Sequence, residues 1–156
     1  MICKLVKVNI SEKEILHRLL QYSLFEESET DLNEMDDTAV FEYKYFDSYF
    51  TDATREAYFV KSAENKLLGF AMINTYMKKS PKGHSIAEFM IIPKYRRKKI
   101  GKQAAFEIFN SHKGFWEISP SLGSEKAYLF WKNVIGNYTS YNYRYEDGIF
   151  IFNLGE

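Results

Sequence analysis

The sequence predicts an α/β fold built on a mixed sheet of six to seven strands with about four helices. Three observations predict it. An apolar run at residues 86–92 stops at Pro93, passes through a basic turn holding a glycine, and enters a helix in which Ile100, Ala104 and Ile108 recur at helical spacing. Strand-like and helix-like segments follow one another as strand, two helices, three strands, helix, strand, helix, two strands. Composition is that of an ordinary globule: 46% hydrophobic and 27% charged residues exclude a disordered tail or a collagen-like repeat. Residues 1–156 suit one domain, which buries roughly 70% of its unfolded surface.

Residues 2–8 alternate apolar side chains with Lys4 and Lys7 and read as the first strand. Ser11 followed by Glu14 predicts a capping-box helix start, and Ile15, Leu16, Leu19, Leu20 and Leu24 give that helix one apolar face. Residues 26–37 carry seven acids in twelve positions and read as an exposed loop. A second helix is predicted over residues 40–49, where Phe41, Tyr45, Phe46 and Tyr49 are spaced for burial on one side. Residues 55–61 and 67–76 form a hairpin about a turn at 63–66, and Pro81 and Gly83 mark the next turn.

A strand over residues 85–92 precedes the helix that carries Ile100, Ala104, Ala105, Ile108 and Phe109, with Gly114 as its stop. Residues 115–118 form a short strand. Ser124 is the N-cap of a last helix in which Ala127, Phe130, Trp131, Val134 and Ile135 share a face and Gly136 ends the run. Residues 138–145 and 149–152 close the chain as a hairpin about Asp147 and Gly148.

Twenty-one basic and 21 acidic residues cancel, so no overall field draws the molecule to nucleic acid or to an anionic membrane. Cys3 is the only cysteine, which excludes an intramolecular disulfide and favours a reducing compartment. Lys4 and Lys7 interrupt the apolar N-terminus and no run approaches the length of a membrane span, so a cytoplasmic protein is expected.

The basic turn is the most informative stretch. Six of the nine residues from Lys94 to Lys102 are Lys or Arg. A strand feeding a helix through such a turn aims unpaired amides and the positive end of the helix dipole at one point, where phosphate is held. This segment resembles the acyl-CoA-binding segment of the GNAT N-acetyltransferases, whose pattern is Arg or Gln, two free positions, Gly, one free position, then Gly or Ala. Arg96, Lys99 and Gly101 stand on its marked positions, so two match and Lys99 departs. A glycine position that requires positive φ would strain Lys99 by about 1 kcal/mol.

The resemblance implies the GNAT fold, with the fourth strand splayed from the fifth and acetyl-CoA bound in the gap. It assigns the backbone of Met90, Ile91 and Ile92 to the pantetheine arm. The amides of Arg97, Lys98, Lys99, Ile100, Gly101 and Lys102 take the diphosphate, with Arg96 bracing the turn. The family's second signature falls on Ser124, Ala127, Phe130 and Trp131: Ser124 stands where an Asn contacts pantetheine, and Trp131 where many relatives have a tyrosine acid. An indole N–H is no general acid near neutral pH, so Tyr128, on the same helix face, is the substitute.

Glu88 interrupts the apolar strand, where burial would raise its pKa into the range of a general base. The acidic segment lies where the family binds its acceptor and would concentrate a cationic amine. His17, His84 and His112 lack metal-ligand spacing, and no metal is expected. The expected activity is transfer of acetyl from acetyl-CoA to a primary amine, of a small cation first, with a protein N-terminus or lysine as the alternative acceptor. A non-catalytic CoA-binding protein is a further alternative. A nucleic-acid module is disfavoured by the neutral charge, and a homodimer is left open.

Overall fold

In the computed structural model, which describes residues 2–156, seven strands form one sheet in the order β1-β2-β3-β4-β5-β7-β6. The strands are β1 (Cys3–Lys7), β2 (Arg55–Ser62), β3 (Leu67–Asn74), β4 (His84–Ile91), β5 (Phe115–Ile118), β6 (Arg144–Glu146) and β7 (Ile149–Asn153). Three α-helices accompany them: α1 (Lys13–Glu27), α2 (Ile100–Ser111) and α3 (Glu125–Thr139). Every strand pair is antiparallel except β4 with β5.

Alternation in β3 divides the core between the two faces. Phe70 and Met72 meet Leu16, Leu19, Leu20 and Leu24 of α1, whereas Ala71 and Ile73 meet Ala105, Ile108 and Phe109 of α2 and Val134 and Ile135 of α3. Period-two side-chain direction in the strand and helical periodicity in its covers thus give a helix layer on each side. No described helix is long and apolar enough to cross a membrane.

The parallel pair is the feature that positions the site. β4 and β5 pair only at His84 with Trp116 and Ser85 with Glu117, and beyond Ser85 the strands part. A bulge contributes: Met72 lies opposite Glu88 but Ile73 lies opposite Ile86, so Ala87 is the extra residue. Ile86 and Phe89 consequently both face the α2 and α3 side, while Glu88 and Met90 turn towards α1.

Four local expectations are corrected. No α-helix forms over residues 40–49; only a 3₁₀ turn at Asp47–Phe50 is helical. Asp36 turns the chain by accepting from the amides of Thr38 and Val40, and the Gln21 side chain takes both backbone groups of Phe41, at 2.7 and 2.8 Å. Those bonds hold residues 40–43 against α1 without a helix, and a turn follows, so Phe41, Phe46 and Tyr49 are buried as predicted and Tyr45 stays exposed. The start of α1 is a 3₁₀ turn at Ile10–Glu12, where the Glu12 carboxylate accepts from Asn9 N–H, so the capping pair is Asn9 and Glu12. Gly136 lies inside α3, which runs on to Thr139 before Ser140 turns left-handed; the Tyr141 ring sits where a Cβ on Gly136 would be. The strand expected over 138–145 is therefore shortened to β6.

Candidate active site

The turn between β4 and α2 is built from alternating backbone signs. Pro93–Tyr95 forms a 3₁₀ turn, Arg96 is extended, Arg97 has φ 62°, and Lys99, the N-cap of α2, has φ 63° and ψ 14°. The position where the family pattern carries its first glycine is left-handed here, and a lysine occupies it. The amides of Arg97, Lys98, Lys99, Ile100, Gly101 and Lys102 donate to no acceptor among the described residues; Gln103 makes the first helical bond, to the Lys99 carbonyl. Six free amides at the start of a helix, flanked by the exposed Arg97, Lys98 and Lys99, suit a multiply charged anion. Gly101 has a packing reason as well, because a Cβ there would stand 3.0 Å from the Phe130 ring of α3.

Arg96 fastens this turn to two elements. Its Nε donates to the Ile91 carbonyl at 2.7 Å, and its two terminal nitrogens donate to the two oxygens of Glu26 at 2.8 Å each. The guanidinium hydrogen bonds hold the Glu26 carboxyl below its usual pKa. Arg96 therefore links the end of β4, the turn and the last turn of α1.

Met90 and Ile91 have buried side chains, and with the half-buried Ile92 they follow the edge of β4 that β5 leaves unpaired. Glu88 lies on the same strand, turned towards α1. Tyr43 O–H donates to its Oε2 at 3.3 Å, while Oε1 is sealed from solvent. Burial first, and the charge of neighbouring Glu27 second, push the Glu88 pKa well above the carboxylate range. Glu27 is itself raised, by burial first, with hydrogen bonds to Glu88 and Ser121 working the other way. Ionising either carboxyl therefore disfavours ionising the other. Tyr43 keeps its proton, since burial and the Glu88 charge both raise its pKa.

The remaining sequence candidates separate. Ser124 Oγ accepts from the Ala127 amide at 3.1 Å and caps α3 as expected. Trp131 is 6% exposed and packs against Phe89 and Phe130, so it fills the core between α3 and β4. Tyr128 stacks on Phe150 and meets Tyr145 edge-on. It lines a cavity of about 470 Å³ bounded by Ser119, Ser121, Ser124 and the Asp147–Gly148 turn. Tyr128 packs on the α3 side of the sheet and Glu88 turns towards α1, and Ser121, which lines the cavity with Tyr128, hydrogen-bonds Glu27.

The acidic segment is only partly free. Glu26 and Glu27 belong to α1, and Asp31 and Asp36 accept from nearby Asn33 and Thr38; Glu29, Glu34 and Asp37 face solvent. Sequence reasoning missed Tyr43, Glu27 and Glu117. Glu117 is 3% exposed and accepts from the amides of Lys78, Lys79 and Ser80 at 2.7, 2.9 and 2.6 Å, pinning the β3–β4 loop to β5. The signal that singled out Glu88, a carboxylate inside an apolar strand, is present in Phe115–Ile118 too.

The sequence profile of the Acetyltransferase (GNAT) family matches residues 20–121. Solved structures of similar fold include an acetyltransferase from Thermus thermophilus, at 14% identity over 99% of this chain and 98% of that one, with a TM-score of 0.64. The aminoglycoside 6'-N-acetyltransferase AAC(6')-Ih of Acinetobacter baumannii shares 10% identity over 85% and 88% of the two chains, with a TM-score of 0.59. The spermidine N-acetyltransferase of Vibrio cholerae, solved with CoA and spermine, shares 9% over 97% and 95%, with a TM-score of 0.58. At these identities the likeness is one of fold. No curated protein matches the sequence.

Proposed function

Because the chain belongs to the GNAT acetyltransferase family, we propose that it moves the acetyl group of acetyl-CoA directly onto the primary amine of a small cationic molecule, with Glu88 as the base. The observation that carries this reading is the half-buried Glu88–Glu27 pair beside the unpaired edge of β4. A carboxylate of ordinary pKa is too weak a base for an ammonium near pH 7, and burial beside a second acid corrects that mismatch.

Acetyl-CoA supplies an activated thioester; the residues of this chain hold it and manage the proton. The free amides from Arg97 to Lys102 and the exposed basic side chains take the diphosphate, and Arg96 keeps their spacing. The open edge of β4 at Met90, Ile91 and Ile92 offers main-chain groups to the pantetheine amides. Holding amine and thioester in contact supplies much of the acceleration. Glu88 takes a proton from the ammonium and frees the amine for attack; as the C–N bond forms and the C–S bond breaks, the second nitrogen proton passes through water to the departing thiolate. Glu27, Glu88 and Asp31 add a negative potential that favours a cationic acceptor, and the exposed Glu29, Glu34 and Asp37 extend it outward. Among proteins of similar fold, acetyltransferases of spermidine and of aminoglycosides act on such amines.

The test pairs a thermal-shift titration with an assay of thiol release. Acetyl-CoA at a hundred times its Kd stabilises by about 2.7 kcal/mol, or roughly 5–10 °C here. Thiol release follows when a polyamine or aminoglycoside is added, and Glu88→Gln lowers kcat about 10²-fold without abolishing the thermal shift. No shift at millimolar acetyl-CoA, or unchanged turnover in Glu88→Gln, overturns the assignment.

A further inference from the structure

Away from the gap, at the end where β4 and β5 are still paired, three side chains from three elements converge. They are Glu56 near the start of β2, His84 at the start of β4, and His112 immediately after α2. Each presents a ligand atom, and these atoms all lie within 4.8 Å of one another. Distance along the chain hides the group, and only the fold assembles it.

The geometry around each member is that of a prepared ligand. His112 Nδ1 lies 2.8 Å from the Ile108 carbonyl, which accepts its proton and fixes the tautomer. Ser111 Oγ, 2.9 Å from the same nitrogen, is itself within reach of the Glu107 and Ile108 carbonyls. His112 Nε2 is thereby turned to Glu56, 3.1 Å from each carboxylate oxygen. The Tyr58 hydroxyl donates to Glu56 Oε1 and holds the carboxylate in place. His84 stands edge-on to His112, ring centres 4.9 Å apart, with Trp116 on another side. Its Nδ1 is sealed from solvent without a hydrogen-bond partner. An ion pair of Glu56 with His112 accounts for two of these residues and leaves the His84 nitrogen uncompensated, which native structures seldom tolerate.

We propose that Glu56, His84 and His112 form a binding site for a first-row divalent transition ion of the zinc class. Two imidazoles and one carboxylate suit Zn²⁺ and Co²⁺, whereas Mg²⁺ and Ca²⁺ prefer sets made only of oxygen. Ligand atoms at about 2.0–2.2 Å from zinc stand roughly 3–3.5 Å apart. Binding therefore requires the ligand atoms to draw closer than the 4.8 Å over which they are spread. Three protein ligands leave a fourth position to water. The ion ties β2, β4 and the end of α2 together at the paired end of the two strands, and it takes no part in acetyl transfer.

The experiment uses the full chain without an affinity tag, stripped by a chelator and then titrated with CoCl₂. A visible d–d absorption that saturates at one Co²⁺ per chain and is displaced by Zn²⁺ but not by Mg²⁺ supports the site. So does a rise of several degrees in Tm with ZnCl₂ at a hundred times its Kd. His84→Ala should weaken Co²⁺ binding at least tenfold. Absence of both the absorption and the Tm rise in the wild-type chain overturns the proposal, whatever the variant does. An undiminished spectrum in a folded His84→Ala chain overturns it too, as does an equal thermal response to Mg²⁺.

Discussion

Replacing Lys99 by glycine separates what its backbone does from what its side chain does. Lys99 sits at φ 63° and ψ 14°, where a residue with a Cβ is strained by about 1–2 kcal/mol. Glycine removes that strain but gives back about 0.4–1 kcal/mol through the larger freedom of the unfolded chain. The net expectation is a gain of about 0.5–1 kcal/mol, or roughly 1–4 °C in Tm, for Lys99→Gly. Lys99→Ala loses the same charge and keeps the strain, so it should show no gain. The free amides of the turn are untouched in both, and loss of one exposed cation weakens acetyl-CoA binding by no more than about fivefold. Thermal melts of the three proteins, each repeated across an acetyl-CoA titration, measure both quantities. A lower Tm for Lys99→Gly, or a hundredfold weaker response to acetyl-CoA, would refute the reasoning, because the lysine side chain and not the amide geometry would then organise the turn.

Two other substitutions probe the carboxylates. The Tyr43 hydrogen bond lowers the pKa of Glu88 against the larger opposing effects of burial and Glu27, so Tyr43→Phe should raise it further. A base must be deprotonated to act, so the acidic limb of the kcat/KM profile should move to higher pH with an unchanged alkaline plateau; a limb that stays put would separate Tyr43 from the base. For Glu117, burial opposes the charge but three backbone amides outweigh it and leave the pKa lowered. That stabilisation is complete above the ordinary carboxylate pKa and is lost as pH falls through the lowered one. Glu117→Gln should cost about 2 kcal/mol near neutral pH, read as a drop of roughly 4–8 °C in Tm; a change under about 2 °C would mean the loop is held by something else.

Legibility in the sequence followed the range of the interactions involved. β5 and the starts of α2 and α3 were readable because they depend on local alternation, a proline stop and an N-cap. Phe41, Phe46 and Tyr49 were correctly marked for burial but wrongly placed in one α-helix, since the side chain that takes the backbone groups of Phe41, Gln21, comes from another element. The turn between β4 and α2 was legible as charge and spacing, and the strain at Lys99, expected only if its position required positive φ, is met by a left-handed backbone there. Glu88 announced itself as a lone acid in an apolar strand, but its partners Glu27 and Tyr43 come from segments read as loop and helix, and only tertiary packing supplies them. The same limit hid the meeting of His84 with His112.

The three amides held by Glu117 have a consequence for binding. Lys78, the first of those donors, lines the cavity beside Tyr128, and the next residue, Lys79, is latched to Asp147 in the β6–β7 turn at 2.5 Å. Glu117 thus sets the backbone of one wall of that recess, while the exposed Lys79–Asp147 pair adds little. Any guest taken up there would meet a wall that needs no ordering, which lowers the cost of its binding.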